Sequence, residues 1–359
     1  MKLLTQPEDG VAPLLAAIKK AKKHVDVVIF RFDRADIEAS LKAAAKRGVS
    51  VTALITYANH GGEKSLRKLE MRLLDAGVTV SRTSDDLVRY HDKMMIIDRR
   101  VLYVMAFNFT HLDLDHSRSF AIVTKKKKLV KEALKLLAAD NDRTKYEAGD
   151  DDFVVSPVNS RKQLLGLIER AEKELLIYDP KVADAEVLRA LNDRAKRGVD
   201  VRIIGTLGRK SSKLNLRALA GFRLHARTII RDRCEAFVGS QSLRKAELNS
   251  RREVGVIVRN AKIVRKLADT FEADWSAKRL EDEAKVTPRE IKKALKATVE
   301  KLSPLDPLVK EAVEEVVSKT DGSAKLNTQE MKETVENAVK EAVRERVQEM
   351  VNETVEQEQ

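Results

Sequence analysis

The sequence is poor in three features, and each shortage excludes something. It holds one cysteine, Cys234. A disulfide framework is excluded, and a reducing cytosol is the expected compartment. No run of about 18 apolar residues occurs, so no membrane-spanning helix is expected. The first residues, MKLLTQPEDG, show no apolar run of signal-peptide length before Glu8 and Asp9. The expected localisation is therefore cytoplasmic, with peripheral membrane contact left open. Aromatic residues make up only 4% of the chain, which leaves few platforms on which single-stranded bases could stack.

What remains is apolar and charged. The 359 residues, 43% hydrophobic and 35% charged, suffice for two domains or more with buried cores and much helix. Net charge is +13, unevenly spread: residues 282–359 carry 13 Lys+Arg against 18 Asp+Glu, so the first 281 residues carry about +18. A body this basic suits an anionic partner: a phosphate ester, a nucleic acid or an anionic lipid surface.

The first 281 residues read as an internal duplication. The tetrapeptide Lys-Arg-Gly-Val occurs at 46–49 and at 196–199, each time after a helical pattern and before a β-branched run. Glycine after the basic pair signals a helix end, and the β-branched runs signal strands. Such alternation predicts a mixed α/β fold, with each half a sheet flanked by helices. The expected units are 1–148, 149–281 and a helical tail over 282–359. In the tail, apolar residues recur every fourth position from Met331 through Val335, Val339, Val343, Val347 and Val351 to Val355. That stripe drifts about 40° per step on a helix, so a plain heptad coil is not expected. A face packing on the body or on a second copy of the chain is. An interfacial membrane helix is the alternative, against which its acidic polar face counts.

One pattern occurs twice: YHDKMMIID at 90–98 and LHARTIIRD at 224–232. Each has a histidine, a cation two places on and an aspartate seven places on. Alternation along a strand would put His91 and Lys93 on one face, and likewise His225 and Arg227. A histidine beside a cation suits phosphate. The cation holds anionic oxygens and the imidazole supplies a nucleophile or a proton. If the halves pair about a pseudo-twofold, both histidines converge on one phosphorus, one attacking and the other protonating the leaving oxygen.

These residues resemble the phospholipase D superfamily, whose signature is HxKxxxxD followed by GSxN. The resemblance covers about residues 10–280. It implies tandem α-β-α domains related by a pseudo-twofold, a phosphohistidine intermediate, and no metal or cofactor. By the same resemblance His91, His225, Lys93, Arg227, Asn108 and Glu253 are the catalytic set. Lys93, Asn108, Arg227, Ser240 and Ser242 hold phosphate oxygens, and Asp98 and Asp232 are structural. Each half departs from the signature. The first has Met105-Ala106 for Gly-Ser, and Ser119 where the second has Glu253. The second has Arg227 for lysine and Ser242 for asparagine. His91, with the intact Lys-Asn set, is the expected nucleophile. Glu253 is expected to orient His225 as general acid and then base. The implied function is a phospholipid-directed phosphodiesterase or phosphatidyltransferase. The alternatives are a nuclease and an anion-binding scaffold with little or no activity.

Overall fold

The computed structural model describes residues 1–57, 63–208 and 214–277. The helical tail expected over 282–359 lies outside the described residues. The first half runs β1 (Lys2–Gln6), α1 (Ala12–Lys20), β2 (His24–Ile29), α2 (Ala35–Lys46), β3 (Ser50–Ile55), α3 (Glu63–Leu74) and β4 (Thr79–Arg82). It continues with β5 (Arg89–Tyr90), β6 (Met94–Ile97), β7 (Val101–Met105), α4 (His111–Asp115), β8 (Ser117–Thr124) and α5 (Lys127–Asp142). The second half runs β9 (Phe153–Ser156), α6 (Ser160–Glu169), β10 (Glu174–Val182), α7 (Ala185–Lys196), β11 (Asp200–Leu207) and β12 (Asn215–Arg217). It ends with β13 (Arg223–Leu224), β14 (Thr228–Arg231), β15 (Glu235–Gly239), α8 (Lys245–Asn249), β16 (Arg251–Val258) and α9 (Ala261–Ser276).

The repeat seen in the sequence is a repeat of pairing. β2 lies antiparallel to β6 with Val25 opposite Ile97, and β10 lies antiparallel to β14 with Leu175 opposite Arg231. The partners are offset by 150 and 134 residues, the two spacings of the sequence repeat. The first sheet is ordered β1-β8-β7-β6-β2-β3-β4 and the second β12-β11-β10-β14-β15-β16-β5. α2 and α7 both end at the Lys-Arg-Gly motif. Gly48 and Gly198 adopt φ of +82° and +89°, a left-handed conformation that a Cβ would penalise. The offset shortens from 150 to 134 because the first half carries 16 more residues ahead of its motif, in the stretch where α3 lies.

Alternation along the strands builds three apolar layers. Val27, Ile29, Met95 and Ile97 face Leu14, Ile18, Ile37 and Leu41 of α1 and α2. Val28, Met94 and Ile96 belong to a core shared with Leu176, Tyr178 and Ile230 of the second sheet and with residues of α5 and α9. Leu175, Ile177 and Ile229 face Leu164, Ile168 and Val187 on the far side. β6 is buried on both faces, and this is why MMII reads as a continuous apolar run. The shared middle layer fixes one half against the other, and so fixes what stands at their seam.

Candidate active site

The strand expected to carry His91 and Lys93 breaks. Residues 91–93 are an extended connection between β5 and β6. β5 leaves its own half and adds to the second sheet, parallel to β16, with Arg89 opposite Arg251 and Tyr90 opposite Arg252. The His91 amide continues this ladder by donating to the Arg252 carbonyl at 2.8 Å. The exchange is reciprocal. β13 adds to β8, with Arg223 opposite Ser117 and Leu224 opposite Arg118, and the His225 amide donates to the Arg118 carbonyl at 3.1 Å. Each histidine is therefore registered by the other half's sheet.

That register decides which acid meets which histidine. Glu253, next along β16, lies 2.9 Å from His91 Nδ1 through both carboxylate oxygens. The Nδ1–H donates to it, and Nε2 is left with the free lone pair. This corrects the expectation that Glu253 orients His225. The physical reason is the strand exchange, which a linear reading of each half does not contain. At the corresponding place on β8 stands Ser119, fully buried, its hydroxyl without a hydrogen-bond partner among the described residues. His225 has instead Asp113, with Oδ2 3.6 Å from Nδ1, beyond hydrogen-bond length. Asp113 is held by the backbone amide and side-chain amide of Asn108, at 2.8 and 2.7 Å, and by Arg223 at 2.7 Å. The two motif cations are placed alike. Lys93 Nζ donates to the His91 carbonyl at 2.5 Å, and Arg227 Nη1 to the His225 carbonyl at 2.9 Å.

The sequence matches the family described as "Cardiolipin synthase, PLD-like domain" over residues 14–140 and 164–275, more than half of its length. The chain belongs to the phospholipase D-like family. Among solved structures, polyphosphate kinase from Porphyromonas gingivalis matches with a TM-score of 0.63 at 20% identity, over 76% of this chain and 46% of that one. The chain thus spans less than half of that kinase. Phosphatidylserine synthase from Haemophilus influenzae Rd KW20 matches with a TM-score of 0.57 at 12% identity, over 86% and 94%. Both likenesses are of fold. Nuc from Salmonella typhimurium, a phospholipase D family member, is 26% identical over 41% of this chain and 97% of that one, with a TM-score of 0.37. No curated protein sequence matches the chain.

The electrostatics of the phospholipase D-like centre follow from its burial. His91, Lys93, His225 and Arg227 are each under a tenth exposed. Burial drives both imidazoles well below their ordinary value. Lys93 and Arg227 push each of them further down, so each cation acts on both histidines across the seam. Asp113 opposes this at His225. Burial lowers the Lys93 ammonium to about 7, with Glu253 opposing and Arg227 adding. Burial likewise raises the Glu253 carboxyl to about 7, against the pull of Lys93, Ser240 and Arg227. Asp113 behaves differently. Burial would raise it, but His225, Arg223 and the two Asn108 bonds together hold it well below the usual carboxylate range. The ring of Phe30 meets His91 edge-on, with centroids 4.3 Å apart. A phosphate entering here would meet Lys93, Arg227 and both imidazoles in a largely buried site.

The remaining expected residues divide. Asn108 stands at the centre, through Asp113. Ser240 and Ser242, expected to hold phosphate, do not offer their hydroxyls to one. Both are fully buried. Ser240 Oγ accepts from the Val254 amide at 3.1 Å, and Ser242 Oγ donates to Asp179 at 2.5 Å. Asp98 and Asp232 sit in tight turns with φ of 51° and 49°. Asp98 accepts from the amides of Lys22, Lys23 and His24, and Asp232 from those of Glu172, Lys173 and Glu174. Sequence reading missed Asp113, although a signal was there. Asp113 lies five residues after Asn108, and Glu247 lies five after Ser242, so an acid recurs at the spacing of the repeat.

Proposed function

We propose that the chain is a phospholipase D-type phosphodiesterase or phosphatidyltransferase acting through a phosphohistidine on His91. The observation that carries the reading is the Glu253–His91 pair. A carboxylate on Nδ1 fixes the tautomer and stabilises the cationic ring that forms when Nε2 takes phosphorus. His91 Nε2 attacks phosphorus, the bond from phosphorus to the leaving oxygen breaks, and His225 gives that oxygen a proton. His225 then takes a proton from water or an acceptor alcohol, whose oxygen attacks phosphorus and releases His91. Lys93 and Arg227 stabilise the charge on the non-bridging oxygens. The cycle begins with His225 protonated; burial disfavours that form, and the ionised Asp113 together with the charge of the incoming phosphodiester favours it.

Phospholipid is the proposed substrate. The reading rests on the description of the matched family and on the basic body, which suits an anionic surface. Among the described residues no helix is long and apolar enough to cross a membrane, so contact with lipid would be peripheral. The same charge favours a second reading, a nuclease. The test sets phosphatidylglycerol vesicles against plasmid DNA, with bis(p-nitrophenyl) phosphate as a generic diester. Head-group release with intact plasmid supports the lipid reading, and nicking without head-group release supports the nuclease. Failure on all three substrates would overturn the enzymatic reading in favour of an anion-binding scaffold.

A further inference from the structure

The two halves treat one arginine position differently. In the second half Arg223, opposite Ser117, is neutralised. It bonds Asp113 at 2.7 Å and the Ser117 hydroxyl at 3.0 Å. Its counterpart in the first half, Arg89, stands opposite another arginine, Arg251. Like charges directly opposite across a strand pair are destabilising. Glu247, the counterpart of Asp113, bonds Arg251 at 3.1 Å and also pairs with Arg244. Glu253 is bound to His91. Among the described residues Arg89 has no ion pair, and neither has Arg31. Both guanidinium groups lie against the Phe30 ring, 5.4 and 5.7 Å from its centroid, with Lys93 Nζ at 5.2 Å from the same ring.

Both arginines stand with Lys93 around the Phe30 ring, which itself packs against His91. Arg89 is two residues before His91 and Arg251 two before Glu253. In extended backbone each therefore shares a side with its catalytic neighbour. Arg31, Lys93 and Asn108 border one shallow depression, which in this state is too small to hold a water molecule. The second half has Lys181 and Pro180 at the positions of Arg31 and Phe30, and Arg223 faces Ser117 of the first half where Arg89 faces Arg251 of the second. Among the described residues, arginines without an ion pair thus gather around Phe30 on the His91 side. Arg31 is exposed and Arg89 half-buried, and guanidinium groups of like charge gathered in this way are stabilised when an anion lies between them.

We propose that Arg31 and Arg89 form a subsite for a second phosphate, so that the substrate carries a diphosphate-type unit and not a lone phosphodiester. The proposal rests on the phosphodiesterase reading of His91 and names the substrate class of that site. It is tested by calorimetry of pyrophosphate and of orthophosphate on the full chain, which requires no turnover. Wild type should bind pyrophosphate about tenfold or more tightly than orthophosphate, as expected for charge-assisted hydrogen bonds to one further phosphate. Arg31→Gln with Arg89→Gln should reduce that preference to near unity, and Arg31→Lys with Arg89→Lys should retain part of it. Adenosine diphosphate, measured in parallel, separates an esterified diphosphate from a free one. Equal affinity for pyrophosphate and orthophosphate in wild type, or a preference that survives the double glutamine variant, would overturn the subsite. A chain that shows the preference but hydrolyses no phosphodiester would overturn the His91 reading and leave the subsite standing.

Discussion

Glu253 loses its charge as pH falls through about 7, because burial has raised its carboxyl to that value. The His91 ring stays neutral far below this, since burial and four cations depress it. An acid limb of activity near pH 7 therefore belongs to Glu253 and not to His91 itself. The wild-type rate on bis(p-nitrophenyl) phosphate should fall as pH drops below 7. Glu253→Gln should cost about 10²–10⁴ in kcat, the usual size of a lost orienting or proton-transfer group, and should also remove that limb. A limb that persists in the variant would mean that another group sets it. The types and spacing of His91, Lys93, Asn108, His225 and Arg227 were legible in the sequence. The partner of Glu253 was not, because a carboxylate 162 residues from His91 leaves no local trace of which histidine it meets.

Elements were legible where periodicity is local. The Lys-Arg-Gly helix ends, the apolar run of β6 and the extra helix α3 all follow from short stretches of chain. β5 and β13 did not follow. Each is two residues long and pairs only with the other half, so neither has a pattern of its own to read. The turn after β6 belongs to this scale too. Asp98 Oδ1 takes three amide hydrogen bonds from the start of β2. Asp98→Ala leaves those donors to water and should lower stability by about 1–3 kcal/mol. Urea denaturation checks this. Turnover per folded molecule should stay within about threefold, since the carboxylate is spent on backbone far from phosphorus. A large loss of turnover at unchanged stability would make Asp98 a catalytic residue.

The whole molecule holds one centre built from two unlike halves. The duplication was legible as a pair of offsets, 150 and then 134, and it foretold two sheets meeting about a pseudo-twofold. The division of labour was not. It depends on the reciprocal exchange of β5 and β13, which gives His91 a buried carboxylate at 2.9 Å and His225 an ionised one at 3.6 Å. The chemistry then follows from position. In the proposed mechanism the tightly oriented imidazole attacks, and the one beside Asp113 carries the proton. The most direct measurement is to trap the intermediate. His225→Asn, quenched after a brief incubation with substrate and digested, should yield an acid-labile phosphoryl adduct on the peptide containing His91, and His91→Asn should yield none. An adduct on His225 in the His91→Asn variant, with none on His91 in the other, would contradict the assignment.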